Sequence, residues 1–172
     1  MWPTPLLVMV ASLLVVSTTI VGCTSAPAPD PTGFTVEYET GSIPPPFNHA
    51  YVLTGTFEDG ALSVAYELTY RFREGMTEDE LAERGYSEED DVRWSGRLTG
   101  GAVDEWRALA RDARLSPPPE PPPGSDSFIV TLTYTSAPTV NGVPEARDEW
   151  ERRVAEIDRR AREETGNPRS EP

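Results

Sequence analysis

The chain's one thiol, Cys23, follows directly on an apolar segment, and its one imidazole is His49. A thiol just beyond an apolar segment of this length would lie close to a membrane face. An imidazole can act as a general base when a nucleophile or a carboxylate lies within reach. No Gly-x-Ser-x-Gly turn or similar motif accompanies His49. Glu88-Glu89-Asp90-Asp91 is the densest acidic run. Calcium takes about six to eight oxygens converging on one point, and four successive carboxylates in a turn do not converge. That run therefore reads as a solvated turn, and no metal site is expected. Neither a phosphate-cradling Gly loop nor a dinucleotide fingerprint occurs, so no cofactor is expected. The 29 acidic residues offer many carboxylate pairs for glycosidase-type hydrolysis and single out none. The expectation is a protein that is not an enzyme, with an envelope hydrolase using carboxylates as an alternative.

Composition narrows the classes further. The 172 residues carry 15 basic and 29 acidic side chains, a formal charge of −14, and every basic residue is Arg. Such a balance argues against neutralising nucleic-acid phosphates. A single Cys excludes an intramolecular disulfide and a Cys-based zinc cluster. Residues 1–22 contain no charged side chain, so the whole charge falls on the remainder, which is long enough for one modest core.

Leu6 to Val16 is a compact apolar core, followed by Ser17-Thr18-Thr19 and then Ile20-Val21-Gly22-Cys23. This ending resembles the lipobox of bacterial lipoproteins. The resemblance implies cleavage between Gly22 and Cys23, a diacylglyceryl group on the Cys23 thiol, and acylation of the new amine with a fatty acid such as palmitate. An uncleaved span is the weaker reading, because residues 6–21 would cover about 24 Å against a hydrocarbon core of about 30 Å. The expected location is the extracytoplasmic face of the cell membrane or outer membrane. The expected organisation is a signal peptide at 1–22, a lipidated Cys with a Pro-rich tether at 23–33, one domain at 34–165, and a disordered tail at 166–172.

Within the domain, alternating apolar residues predict strands. Phe34, Val36 and Tyr38 mark the first, and the second runs near residues 50–58. Asp59-Gly60 signals a hairpin into the third, where Leu62, Val64, Tyr66, Leu68, Tyr70 and Phe72 share a face. Val92, Trp94 and Leu98 predict a fourth, with Gly96 as a bulge, and Phe128 to Tyr134 a fifth. Thr77-Glu78-Asp79-Glu80 is a capping box opening a short helix. Further helices are expected over 102–114 and from Pro144 onward, burying Trp106 and Trp150. The last should carry Glu149/Arg153, Glu156/Arg160 and Asp158/Arg162 pairs on its solvent side. These elements predict an α+β, two-layer domain: an antiparallel sheet of about five strands with two or three helices on one face.

Two segments stand out for recognition. Ile43-Pro44-Pro45-Pro46-Phe47 is a stiff apolar loop between strands. Ile43, Pro45 and Phe47, with His49 and Tyr51, form a candidate binding patch, since stiffness lowers the entropy lost on binding. Pro117 to Pro123, interrupted only by Glu120, has polyproline II character and reads chiefly as a spacer between helix and strand. Tyr38-Glu39-Thr40-Gly41, a helix at 102–114, Asp126-Ser127-Phe128 opening a strand and Pro144 opening a terminal helix also resemble emfourin-type proteins, over about residues 34–162. Those are small bacterial α+β proteins whose namesake inhibits thermolysin-like metalloproteases. The resemblance implies a protease inhibitor, and no inhibitory residue carries over. The principal expectation is a lipid-anchored, non-catalytic interaction module of the cell envelope, with an envelope protein as partner and the membrane engaged through its lipid.

Overall fold

In a computed structural model, the described residues are 29–41, 49–70, 77–83, 91–120, 122 and 124–166. The element order is β1 (Gly33–Glu39), β2 (His49–Glu58), β3 (Ala61–Tyr70), α1 (Glu78–Glu83), β4 (Val92–Thr99), α2 (Gly101–Arg111), β5 (Leu115–Ser116), β6 (Ser127–Thr133), β7 (Val140–Pro144) and α3 (Arg147–Thr165).

The alternation in β3 explains the sheet's two faces. Leu62, Val64, Tyr66 and Leu68 are buried, whereas Ala65 and Glu67 are exposed. The Asp59-Gly60 turn, with Gly60 at φ 70°, returns the chain so that Glu58 pairs with Ala61. Every pairing in the sheet is antiparallel, in the order β4-β3-β2-β1-β6-β7-β5. Across it, Val130, Val36, Leu53, Tyr66 and Trp94 form one continuous inner row. The outer row one residue away holds Ile129, Glu37, Val52, Glu67 and Arg93.

Helices α2 and α3 bring Val103, Trp106 and Ala110, and Trp150, Val154, Ile157 and Ala161, into the core of that inner face. Phe34 is its node. Its ring stacks on Trp106 at 4.8 Å and meets the edge of Trp150 at 5.6 Å, geometries that add about 0.5–1.5 kcal/mol per pair beyond burial. Gly55 makes the space, because a Cβ there would lie 2.4 Å from the Phe34 ring. Arg153 ties α3 to Glu105 of α2.

The α+β antiparallel architecture matches the sequence expectation, but the strand count does not: the sheet has seven strands rather than about five. Strand β7 contains Asn141-Gly142, which reads as a turn, and ends at Pro144, which reads as a helix start. Its outer neighbour β5 pairs with it only through Leu115 and Ser116, so a Pro is tolerated at that strand end. Helix α3 therefore starts at Arg147, and α2 stops at Arg111 rather than Arg114, because the chain must already turn toward β5. Gly96 is not a bulge, since it pairs with Val64 in unbroken register. Pro31 is buried, and Thr32 donates its amide to Thr133 and accepts the Phe57 amide. The capping box forms as expected, with the Thr77 amide and hydroxyl donating to Glu80 at 2.8 and 3.0 Å. On α3, Glu149/Arg153 and Asp158/Arg162 pair, while Glu156 takes Arg152 and Arg153, and Arg160 takes Glu164. The expected disordered tail after Gly166 lies outside the described residues.

Candidate functional site

At one end of the β1–β2 pair, Thr40 fastens the two strands together. The Thr40 amide and hydroxyl donate to the His49 carbonyl, and the His49 amide donates back to the Thr40 hydroxyl at 2.9 Å. This clamp fixes where the following side chains project. Because β-strand side chains alternate, Tyr38, His49, Tyr51, Tyr70 and Phe128 all fall on the inner face, beyond the helix-packed centre.

They form a continuous tier of rings. Tyr38 and Tyr51 stack with centroids 5.0 Å apart and planes 27° from parallel. Tyr38 lies 5.4 Å from His49, His49 lies 6.1 Å from Tyr70, and Tyr51 lies 6.1 Å from Tyr66. The guanidinium of Arg147 sits over Phe128 at 5.1 Å. Tyr38, His49, Tyr51 and Tyr70 are half-buried, whereas Tyr66 and Phe128 are buried.

Fixed charges flank the tier. Asp126 accepts the Gly41 amide at 2.9 Å and the Tyr38 hydroxyl at 3.4 Å. Helix α3 contributes Arg147, Glu151, Asp158 and Arg162, whose spacings of four and seven residues keep them on one side. Arg147 bonds Glu151 at 2.6 Å, Arg162 bonds Asp158 at 2.7 Å, and Tyr66 donates to Asp158 at 2.9 Å. Burial pushes the Tyr51 and Tyr66 phenols well above their ordinary range, reinforced by Glu151 and Asp158 respectively. Burial also raises Tyr38, with Asp126 adding to it. At neutral pH these hydroxyls stay protonated donors. Burial opposes the charge of Arg162, yet its bond to Asp158 and its contact with Tyr70 hold its pKa above the ordinary value.

The arrangement suits recognition: ring faces for apolar or planar groups, with phenols and carboxylates fixed beside them. Of the sequence-derived patch, His49 and Tyr51 belong to this tier, while Ile43, Pro45 and Phe47 lie outside the described residues. Gly22 and Cys23 lie outside them as well. Gly41 and His49, the described residues on either side of the Pro-rich segment in the sequence, lie at this tier. The sequence reading missed Tyr38, Tyr70, Asp126, Glu151 and Asp158 as members. Alternation does put Tyr38 and Tyr51 on inner faces, but their adjacency depends on strand register.

The opposite sheet face is uncovered among the described residues. There Val52, Thr54, Ala65, Glu67, Arg93 and Ser95 border a shallow open depression of about 390 Å³. Its two charges pair with each other, Arg93 Nε to Glu67 Oε1 at 3.0 Å.

No family model matches the chain, and neither a curated protein nor a solved structure shows significant similarity to it.

Proposed function

We propose that this chain is a lipid-anchored, extracytoplasmic binding module of the cell envelope, without catalysis, that engages an envelope protein through the ring tier at Tyr38, His49 and Tyr51. The observation that carries the reading is the Ile20-Val21-Gly22-Cys23 sequence followed by a Pro-rich tether. Lipidation of Cys23 and acylation of its amine would hold the chain stably, since one acyl chain binds marginally and two or more bind firmly.

The geometry supports the division of labour. The tether joins the sheet at Gly33, and the ring tier begins at Tyr38 on the same strand. At about 3.3 Å per residue, the tier lies some 16 Å along the strand from the anchor end. Rings already stacked on one another and phenols already hydrogen-bonded lose little freedom when a partner arrives.

The test is crosslinking of a tagged chain in its own host, with mass spectrometry, comparing wild type, Cys23→Ser and Tyr51→Ala. Wild type should incorporate labelled palmitate, fractionate with membranes and crosslink a specific envelope protein. Cys23→Ser should lose label, membrane and partner together. Tyr51→Ala should keep the membrane and lose the partner. A wild-type chain without label, or a partner indifferent to Tyr51, would overturn the reading.

A further inference from the structure

The chain that follows Cys23 enters the sheet beside the β6–β7 connection. The Thr32 amide and hydroxyl both donate to the Thr133 carbonyl, at 2.7 and 3.2 Å, and Gly33 then pairs with Thr133. Just ahead of Thr32, Asp30 adds to the stronger hold of Asp112 on the Arg111 guanidinium. Arg111 ends α2 just before β5, which lies on the β7 side of the sheet. The approach from Cys23 therefore runs along the β6–β7 flank. Cys23 and Thr32 are nine residues apart, which is at most about 32 Å of extended chain. A lipid on Cys23 would keep this end of the sheet within that distance of a bilayer.

Charge divides this end of the sheet. On one side of β1, residues 127–144 carry no charged side chain. Leu132 pairs with Val140, so residues 133–139 form the tip between β6 and β7. Pro138 and Val140 are exposed there, and Tyr134 and Ala137 are half-buried. Val140, at 46% exposure, and Val52 are the exposed large hydrophobic side chains among the described residues. Val52 lies elsewhere, opposite Glu37 on the outer sheet face. On the other side of β1, the β2–β3 hairpin presents Glu58 and Asp59, and α2 carries Asp104 in its first turn.

That division matters beside a lipid surface. Anionic headgroups repel carboxylates that come within a screening length of about 8 Å. In a chain of formal charge −14, an uncharged tip is the part that can approach without that penalty. Tyrosine rings favour the headgroup level, where the ring meets apolar chains and the hydroxyl meets water. The tip's backbone polar groups stay hydrated at that depth, so shallow contact does not strand them. Such a contact is weak alone. A short flexible tether supplies an effective concentration in the millimolar range, which populates contacts that a free chain would not make.

We propose that residues 134–140 form a second membrane contact, resting in the headgroup region of the bilayer that holds Cys23, with Tyr134, Pro138 and Val140 toward the lipid. The contact rests on the lipid anchor proposed above and adds an orientation to it. The neutral β6–β7 tip turns to the bilayer and the acidic β2–β3 hairpin turns away. Tyr38 and its partner Tyr51, at the opposite end of the β1–β2 pair from Gly33, then face away from the membrane.

The experiment uses the full lipidated chain on vesicles of phosphatidylethanolamine and phosphatidylglycerol. An environment-sensitive fluorophore is placed at Val140→Cys, or at Asp59→Cys as the control; Cys23, its thiol held by the lipid, does not react. The Val140 label should lose most of its emission to nitroxide-bearing lipids, and the Asp59 label should keep its emission. A label brings apolar surface of its own, so the unlabelled wild type is measured as well. Its amide exchange across residues 134–140 should slow on vesicles relative to Cys23→Ser in solution, while Gly60 stays unchanged. A chain that does not float with the vesicles overturns the anchor and this contact with it. A chain that floats, but whose Val140 label is quenched no more than the Asp59 label, overturns the contact and leaves the anchor standing. Exchange of residues 134–140 at the solution rate in a floating chain does the same.

Discussion

Tyr66 on β3 donates its hydroxyl to Asp158 on α3 across 2.9 Å, joining two residues that are 92 positions apart in the chain. Asp158 also accepts Arg162 Nε at 2.7 Å, and the side chains of Asp158 and Arg162 are only 16% and 11% exposed. One carboxylate thus satisfies a sheet phenol and a helix guanidinium in a largely dry contact. Removing the phenol oxygen and removing the carboxylate should therefore differ in cost. Tyr66→Phe loses one charge-assisted bond and should cost about 1.5–3 kcal/mol. Asp158→Ala strands Arg162, whose Nη1 already lacks a partner, and should cost about 3 kcal/mol or more. Urea unfolding of the two variants measures the difference; equal costs would mean that Arg162 relaxes into solvent.

Alkaline titration reads the same region. Tyr38, Tyr51 and Tyr66 have raised pKa values, with burial as the largest cause in each. A raised pKa means that the folded state holds the proton more tightly. The stabilisation is complete below the unfolded phenol value of about 10 and is lost as pH rises through the folded values. Tyrosinate absorbance should show these three of the chain's six tyrosines resisting ionisation until the protein unfolds. Stability should fall steadily above about pH 10. Ionisation of all six near pH 10 in a still-folded protein would refute the packing described.

What was legible in the sequence follows from how locally each feature is specified. The β3 alternation, the Asp59-Gly60 hairpin and the Thr77 capping box are set by residues within a few positions, and all three form. Strand β5 has two residues, too short to carry a period. Strand β7 escaped because Asn141-Gly142 and Pro144 carry turn and helix-start signals that pairing with β6 and β5 overrides. The same limit governs the site. His49 and Tyr51 are visible beside a Pro-rich loop, but their stacking on Tyr38 needs the β1–β2 register, and the Asp126 contact spans 88 positions.

Gly96 sits where a side chain has no room, since a Cβ would meet the Trp94 ring at 2.1 Å. That ring is held by Arg160 over its face at 5.6 Å and by its indole N–H donating to Glu164 at 2.7 Å. Gly96→Ala should displace the indole and cost about 1–3 kcal/mol, as overpacking does. Glu164 has a lowered pKa through its Arg160 bond first and its Trp94 bond second, so losing the indole should move its carboxyl titration upward. Unfolding and carboxyl-resolved NMR titration test both; an unchanged Glu164 would show the indole still bound.

Trp150 places the largest fully buried side chain against Phe34 and Trp106, yet its indole N–H is buried with no acceptor. An unpaired buried donor costs about 1–3 kcal/mol, whereas the ring's apolar area contributes more than that. The two contributions separate by substitution. Trp150→Ala removes both and opens a cavity beside Phe34, for an expected loss of about 3–5 kcal/mol. Trp150→Phe keeps a ring on Phe34 and removes the unpaired donor, so the gain from the donor offsets much of the lost volume. Its expected cost is below about 1.5 kcal/mol. Calorimetric unfolding of both variants gives the comparison. A Phe variant as unstable as the Ala variant would show that the indole N–H contributes favourably, through the face of Trp106, whose ring centroid lies 5.9 Å away at 64°.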